Sequence, residues 1–227
     1  MTRRTNARIA GFTFLFYIAA GITSMVVFGQ AARGDGIAAR LASMAQHVPQ
    51  IGIVFILGLL QACSAIVLGV TLYAITRDED PDLAMLGLAF RVGEGLIGVS
   101  LPSSLALVWL ATVTGANAPD TAAAHAIGAV LLKVEGSTSL VTATFFAVGS
   151  TFFSWLLLRG RMIPAALAWL GVVASVLLVV CLPLQAAGFL RGTFTGLMWI
   201  PMAAFEVPLA GWLIVKGAAL PARRQVT

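Results

Sequence analysis

The sequence predicts an all-α polytopic membrane protein: a six-helix transmembrane bundle with both termini cytoplasmic and short interfacial helices in the external loops. Three observations predict it. The 227 residues are 59% hydrophobic and only 10% charged, against about 25% charged in an ordinary soluble domain. Six apolar runs each exceed the ~17 residues needed to cross a bilayer. The basic residues are distributed unevenly between the segments that join those runs.

The runs cover about 9–29, 51–76, 82–115, 138–158, 163–184 and 195–215, and the chain reads as a single membrane domain, 1–227. The first run follows Arg3, Arg4 and Arg8. It is longer than the ~7–15 residues of a signal-peptide core and is read as a span. The third is too long for one straight crossing, and Pro102, flanked by Ser100, Ser103 and Ser104, predicts a kink. With the N-terminus inside, nine of the 14 basic residues fall in cytoplasmic segments and four in external ones, with Arg91 in the membrane. That asymmetry and the even number of spans place both termini in the cytoplasm of a bacterial inner (cell) membrane.

The two cytoplasmic links are tight: Arg77-Asp78-Glu79-Asp80-Pro81 and Arg159-Gly160-Arg161. The external links are longer. In the first, Ile37, Leu41, Met44 and Val48 recur at helical spacing opposite Arg40 and His47, the pattern of an interfacial amphipathic helix. In the second, Asp120 or Thr121 is placed to cap a separate short Ala-rich helix ending near Glu135. No internal repeat points to an inverted-repeat transporter.

Three ionisable residues lie inside the apolar runs: Arg91, Glu94 and Glu206. An ionisable group at membrane depth costs at least ~2.5–3.5 kcal/mol on insertion scales, so it faces the protein interior and marks a function by default. At 1.5 Å rise per residue, Glu94 and Glu206 both fall near the midplane. Arg91 stands one turn from Glu94 on the same helix face, at i, i+3. Gly87, Gly95 and Gly98 share that side, and Pro201 and Pro208 bracket Glu206. Gln61 and Ser64 reach the same level. One arginine and two glutamates leave an excess negative charge, which calls for a protonated glutamate, a bound cation or a cationic ligand.

These residues and their neighbours resemble a known family. The resemblance is carried by Ala7-Arg8-Ile9-Ala10-Gly11-Phe12 and by Ala89-Phe90-Arg91-Val92-Gly93-Glu94. It continues through Leu156-Leu157-Leu158-Arg159-Gly160-Arg161-Met162-Ile163-Pro164, then Phe205-Glu206 on to Gly211-Trp212-Leu213-Ile214-Val215-Lys216-Gly217. Taken together they resemble the small bacterial six-helix membrane family catalogued as domain of unknown function 4386. The resemblance implies six spans and carries Arg91, Glu94 and Glu206 as family-like positions. It implies no activity. The external loops match least.

Three functional readings follow. The first is an acid/base enzyme of isomerase or cyclase type acting on a lipophilic, isoprenoid- or lipid-like substrate. Glu94, Glu206 and Arg91 would be catalytic, and Gln61, Ser64, Phe90, Trp199 and Phe205 would line the substrate site. The aromatic rings there are placed to steady positive charge. The second is a small proton-coupled transporter whose path would add Thr71, Thr142 and Thr144 to Gln61. The third is a non-catalytic membrane partner in which Arg91 bridges both glutamates and clamps the third span to the sixth.

The composition also excludes several classes. The basic residues form no stripe with interleaved aromatics, so nucleic acid is not a partner. The only histidines, His47 and His125, have neither metal-ligand spacing nor in-membrane placement, so neither a metal nor a cofactor is expected. Cys63 and Cys181 lie at different predicted depths and are expected to be small core residues rather than a disulfide. The expected partners are the lipid bilayer and a lipophilic small molecule.

Overall fold

A computed structural model of the chain describes residues 1–100, 106–107, 109–110 and 121–221. Among them there are helices and no strand. In chain order these are α1 (Arg3–Ala31), α2 (Gly36–Gln46), α3 (Val48–Thr76), α4 (Pro81–Ser100), α5 (Thr121–Arg159), α6 (Ala165–Ala186), α7 (Phe194–Leu197) and α8 (Ile200–Val215). Five helical segments are long and apolar enough to cross a membrane: α1, α3, α5, α6 and the α7–α8 stretch.

Helix α4 is 20 residues long and carries Asp82, Arg91 and Glu94. Its polarity is inverted relative to a helix in water. Arg91 and Glu94 are buried, whereas Met85, Leu86 and Leu96 are exposed. That is the arrangement a bilayer selects, because lipid solvates the apolar face and leaves the charges to the protein interior. The predicted kink at Pro102 lies outside the described residues.

The long helices close a ring. Each packs on its two neighbours in the order α1, α3, α4, α5, α6, α8 and back to α1. Helices α4 and α8, which carry the embedded charges, are therefore not adjacent in the ring. The main apolar core fills one end of it. Ala7, Ala10 and Phe14 of α1 meet Leu68, Leu72 and Ile75 of α3, Phe153 and Leu157 of α5, Leu178 of α6, and Leu209 and Leu213 of α8. A second cluster caps the other end, where Leu41 and Met44 of α2 pack with Ala31, Ala32, Ile51 and Leu107. Leu41 and Met44 are half of the amphipathic stripe predicted from the sequence, and the helix they lie on is α2.

Two expectations change. The separate Ala-rich helix and the fourth span are one continuous helix, α5, 39 residues long. At 1.5 Å per residue this is about 58 Å, longer than the ~30 Å hydrocarbon core. Glu135-Gly136-Ser137-Thr138 reads as a break, but no proline enforces one. The Ser139 hydroxyl donates back to the Glu135 carbonyl at 3.0 Å, which satisfies it within the helix without breaking it. Gly128 lets α2 lie close to α5, because a Cβ there would fall 2.9 Å from a Leu41 methyl. The second change is Cys63, which is exposed rather than part of the core, while Cys181 is buried.

The sixth predicted run is interrupted. Trp199 forms the N-cap of α8 and Pro201 occupies its first turn, where a missing N–H costs nothing. Pro208, by contrast, lies inside the helix and leaves the Ala204 carbonyl without its helical donor.

The end opposite α2 is tied by charge. Arg159 at the end of α5 pairs with Glu79 and Asp80 in the α3–α4 turn, each at 3.1 Å. Arg3 at the start of α1 pairs with Asp78 at 3.8 Å and donates to the Ala218 carbonyl at 3.2 Å. Asp80 also caps α4, accepting from the Leu83 N–H at 3.2 Å. That backbone bond, assisted by Arg159, holds the Asp80 carboxyl below its ordinary value. A carboxyl lowered by folding contributes stability above its unfolded pKa and loses it as pH falls through the folded one. Asp80→Ala is therefore expected to lower the melting temperature in detergent by a few degrees at neutral pH. The difference from wild type should shrink on acidification below the carboxylate range, as read by thermal unfolding at several pH values.

Candidate functional site

The site is built around a buried arginine. Arg91 is 1% exposed and its stem passes between two helices that carry glycine opposite it. A Cβ on Gly69 of α3 would fall 2.9 Å from the Arg91 Cβ, and one on Gly149 of α5 would fall 3.2 Å from its Cγ and Cδ. Any larger residue at either position would displace the side chain. The guanidinium centre then lies 5.4 Å from the Tyr17 ring centre and 5.1 Å from that of Phe146, within cation–π range.

Arg91 Nη1 lies 2.9 Å from Glu94 Oε2 within the same helix. This is an ion pair without hydrogen-bond alignment: Nε, Nη1 and Nη2 have no hydrogen-bond partner of good geometry among the described residues. The other Glu94 oxygen, Oε1, accepts from the Tyr17 hydroxyl at 2.7 Å. Glu94 is thus held from both sides, by its own helix and by α1.

Glu206 stands differently. It is 5% exposed, it forms no ion pair among the described residues, and its Oε1 has no hydrogen-bond partner there. Arg91 therefore pairs with Glu94 of its own helix and does not reach across the ring to bridge both carboxylates.

Between the two apolar clusters lies a partly open cavity of about 450 Å³. Glu94 and Glu206 both line it, together with Tyr17, Gln61, Thr142, Phe146, Trp199 and, further along α5, Glu135. On α1, α3 and α4 the lining residues run from mid-helix towards α2: Tyr17 and Ser24 of α1, Val54 to Ala62 of α3, Glu94 and Gly98 of α4. The carboxylate cluster forms the inner end of a space that extends towards the α2 end of the bundle.

Of the residues singled out from sequence, Glu94, Glu206, Gln61 and Trp199 meet at this cavity. Gln61 donates from Nε2 to the Tyr17 carbonyl at 3.4 Å, and Trp199 packs against Phe146 at 6.2 Å between ring centres. Arg91 lies behind Glu94 rather than on the wall. Phe90 packs against Phe145 and Phe152. The Phe205 ring lies over Gly171 in the core. The Ser64 hydroxyl donates to its own helix at the Leu60 carbonyl. Of the threonines, Thr142 lines the cavity, whereas Thr71 and Thr144 donate to the Val67 and Leu140 carbonyls of their own helices.

Sequence reasoning missed Tyr17, Phe146 and Glu135 as parts of the site. Tyr17 carried a usable signal: it is one of two tyrosines, and a tyrosine in mid-span needs a partner for its hydroxyl. Glu135 reads from sequence as the end of a separate external helix, which places it outside the spans. Phe146 carried no signal among 13 phenylalanines.

The apolar helices, the inverted polarity of α4 and the carboxylates buried within the ring define a multi-pass membrane protein. The chain belongs to the family described as Domain of unknown function (DUF4386), whose family model matches residues 9–217. No curated protein and no solved structure matches it.

Removing one partner of a buried ion pair costs about 3–5 kcal/mol, because the other charge is left uncompensated. Arg91→Met alone is expected to destabilise the protein by about that amount. The double variant Arg91→Met with Glu94→Gln should recover part of the loss, as measured by a double-mutant cycle of unfolding in detergent.

Proposed function

We propose that the chain is a single domain crossing the cell membrane six times, with α4 as the third span and both termini in the cytoplasm. Within it, the cavity holds a lipophilic, isoprenoid- or lipid-like molecule, and Glu206 is the acid/base group that acts on it. The observation that carries this reading is Glu206 itself, a carboxyl buried at membrane depth, lining a cavity, with an oxygen that no described side chain or backbone group engages. Buried polar groups in folded proteins are satisfied, so an orphan oxygen on a residue that lines a cavity suits a group that meets a ligand.

Glu94 plays a different part. Arg91 and Tyr17 hold its two oxygens, so it positions and balances the arginine, while Glu206 is left to react. In an isomerase- or cyclase-type step the Glu206 carboxylic acid gives its proton to an alkene carbon. The carboxylate so formed takes a proton from a neighbouring carbon. The proton count closes, and no oxidant or reductant enters. Tyr17, Phe146 and Trp199 offer ring faces to the positive charge that appears between the two transfers.

The test is mass spectrometry of lipophilic molecules that co-purify with wild type and with Glu94→Gln and Glu206→Gln. A discrete species held by wild type and lost or chemically altered in Glu206→Gln is the expected result. If all three proteins carry only bulk lipid, the reading is overturned. The orientation has its own check: reporter fusions after Arg161 and after Lys216 should both report a cytoplasmic position, and a fusion near Arg191 an external one.

A further inference from the structure

The described lining of the cavity contains three carboxylates, Glu94, Glu135 and Glu206, and no lysine, arginine or histidine. Arg91 balances Glu94 at 2.9 Å. Neither Glu135 nor Glu206 has an ion-pair partner among the described residues. An ionised carboxylate buried without a counter-charge costs several kcal/mol, and this cavity supplies none of its own. Its walls add four rings, Tyr17, Phe55, Phe146 and Trp199, whose faces attract cations and offer little to anions.

We infer that the cavity is selective for a lipophilic organic cation, a hydrophobic amine or ammonium compound, whose charged nitrogen pairs with Glu206 while its apolar part lies along the aromatic wall. This rests on the reading of the cavity as a binding pocket, not on the acid/base step: in the loaded pocket Glu206 is the ionised partner of the cation rather than a proton donor. Two independent features converge on it. One is the one-sided charge of the lining. The other is the unengaged Oε1 of Glu206, a side chain 5% exposed that lines the same space. A neutral lipophile would leave that oxygen unsatisfied and the charge unbalanced. A lipophilic anion would add repulsion. Glu135, further along the cavity and half-buried, is placed to meet the cation as it enters.

The experiment is equilibrium dialysis against the full chain in phosphatidylcholine nanodiscs, with protein-free discs as baseline. Three probes of similar size and different charge are compared: tetraphenylphosphonium, tetraphenylborate and neutral triphenylphosphine oxide. Saturable binding of the phosphonium above baseline is expected, with little from the other two. Glu206→Gln should weaken it by about tenfold or more, Glu135→Gln by less, and Asp82→Asn, which removes an exposed carboxylate outside the cavity, not at all. If the neutral or anionic probe binds as tightly as the cation, or if Glu206→Gln leaves phosphonium binding unchanged, charge selectivity is refuted while the pocket stands. If none of the three binds saturably, the cation proposal and the pocket reading fall together.

Discussion

The buried guanidinium of Arg91 is the constraint around which the bundle is arranged. A charge at that depth is tolerated only where the protein replaces the solvation that lipid cannot give. Four helices do so. Glu94 supplies the counter-charge from α4 itself. Tyr17 of α1 and Phe146 of α5 bring ring faces to the cation. Gly69 of α3 and Gly149 of α5 supply the space its stem needs. Helices α3, α4 and α5 thus meet around one side chain, and α1 is brought to the same point through the hydroxyl of Tyr17.

Because Arg91 pairs within its own helix, the second glutamate is left without an ion-pair partner among the described residues. Glu206 lies on α8, which is not a neighbour of α4 in the ring, and the space between those helices is cavity rather than packed core. Had Arg91 bridged both carboxylates, α4 and α8 would have been drawn together and that space closed. The two glutamates therefore differ in their surroundings. Glu94 is held on both oxygens, and Glu206 lines the cavity with its Oε1 unengaged.

The two ends of the bundle are held by different forces. Opposite α2, ion pairs of Arg3 and Arg159 with the Asp78-Glu79-Asp80 turn tie α1 and α5 to the α3–α4 turn. At the α2 end Leu41 and Met44 make apolar contacts with residues of α1 and α3, and Arg40 and Ser43 donate to the Ala32 and Ala31 carbonyls. The cavity extends towards that second end. Surface ion pairs contribute modestly to stability, but here several converge on one short turn and fix the register of the helices they join.

The sequence by itself determined the helical membrane class, the positions of the apolar runs and the identity of the embedded charges. Each of these is a local property: run length, composition and the cost of a charge in lipid are legible one segment at a time. It also placed Arg91 beside Glu94, because i, i+3 spacing on a helix is a local geometry. Only the tertiary structure decided which glutamate the arginine does not reach, that Tyr17 and Phe146 complete the site, and that 121–159 is one helix. Phe205 and Ser64 illustrate why. Both lie at or near the right depth, but their direction depends on how each helix is rotated about its axis, which is fixed by contacts between helices far apart in the chain. Depth is encoded along a span, whereas facing is encoded between spans.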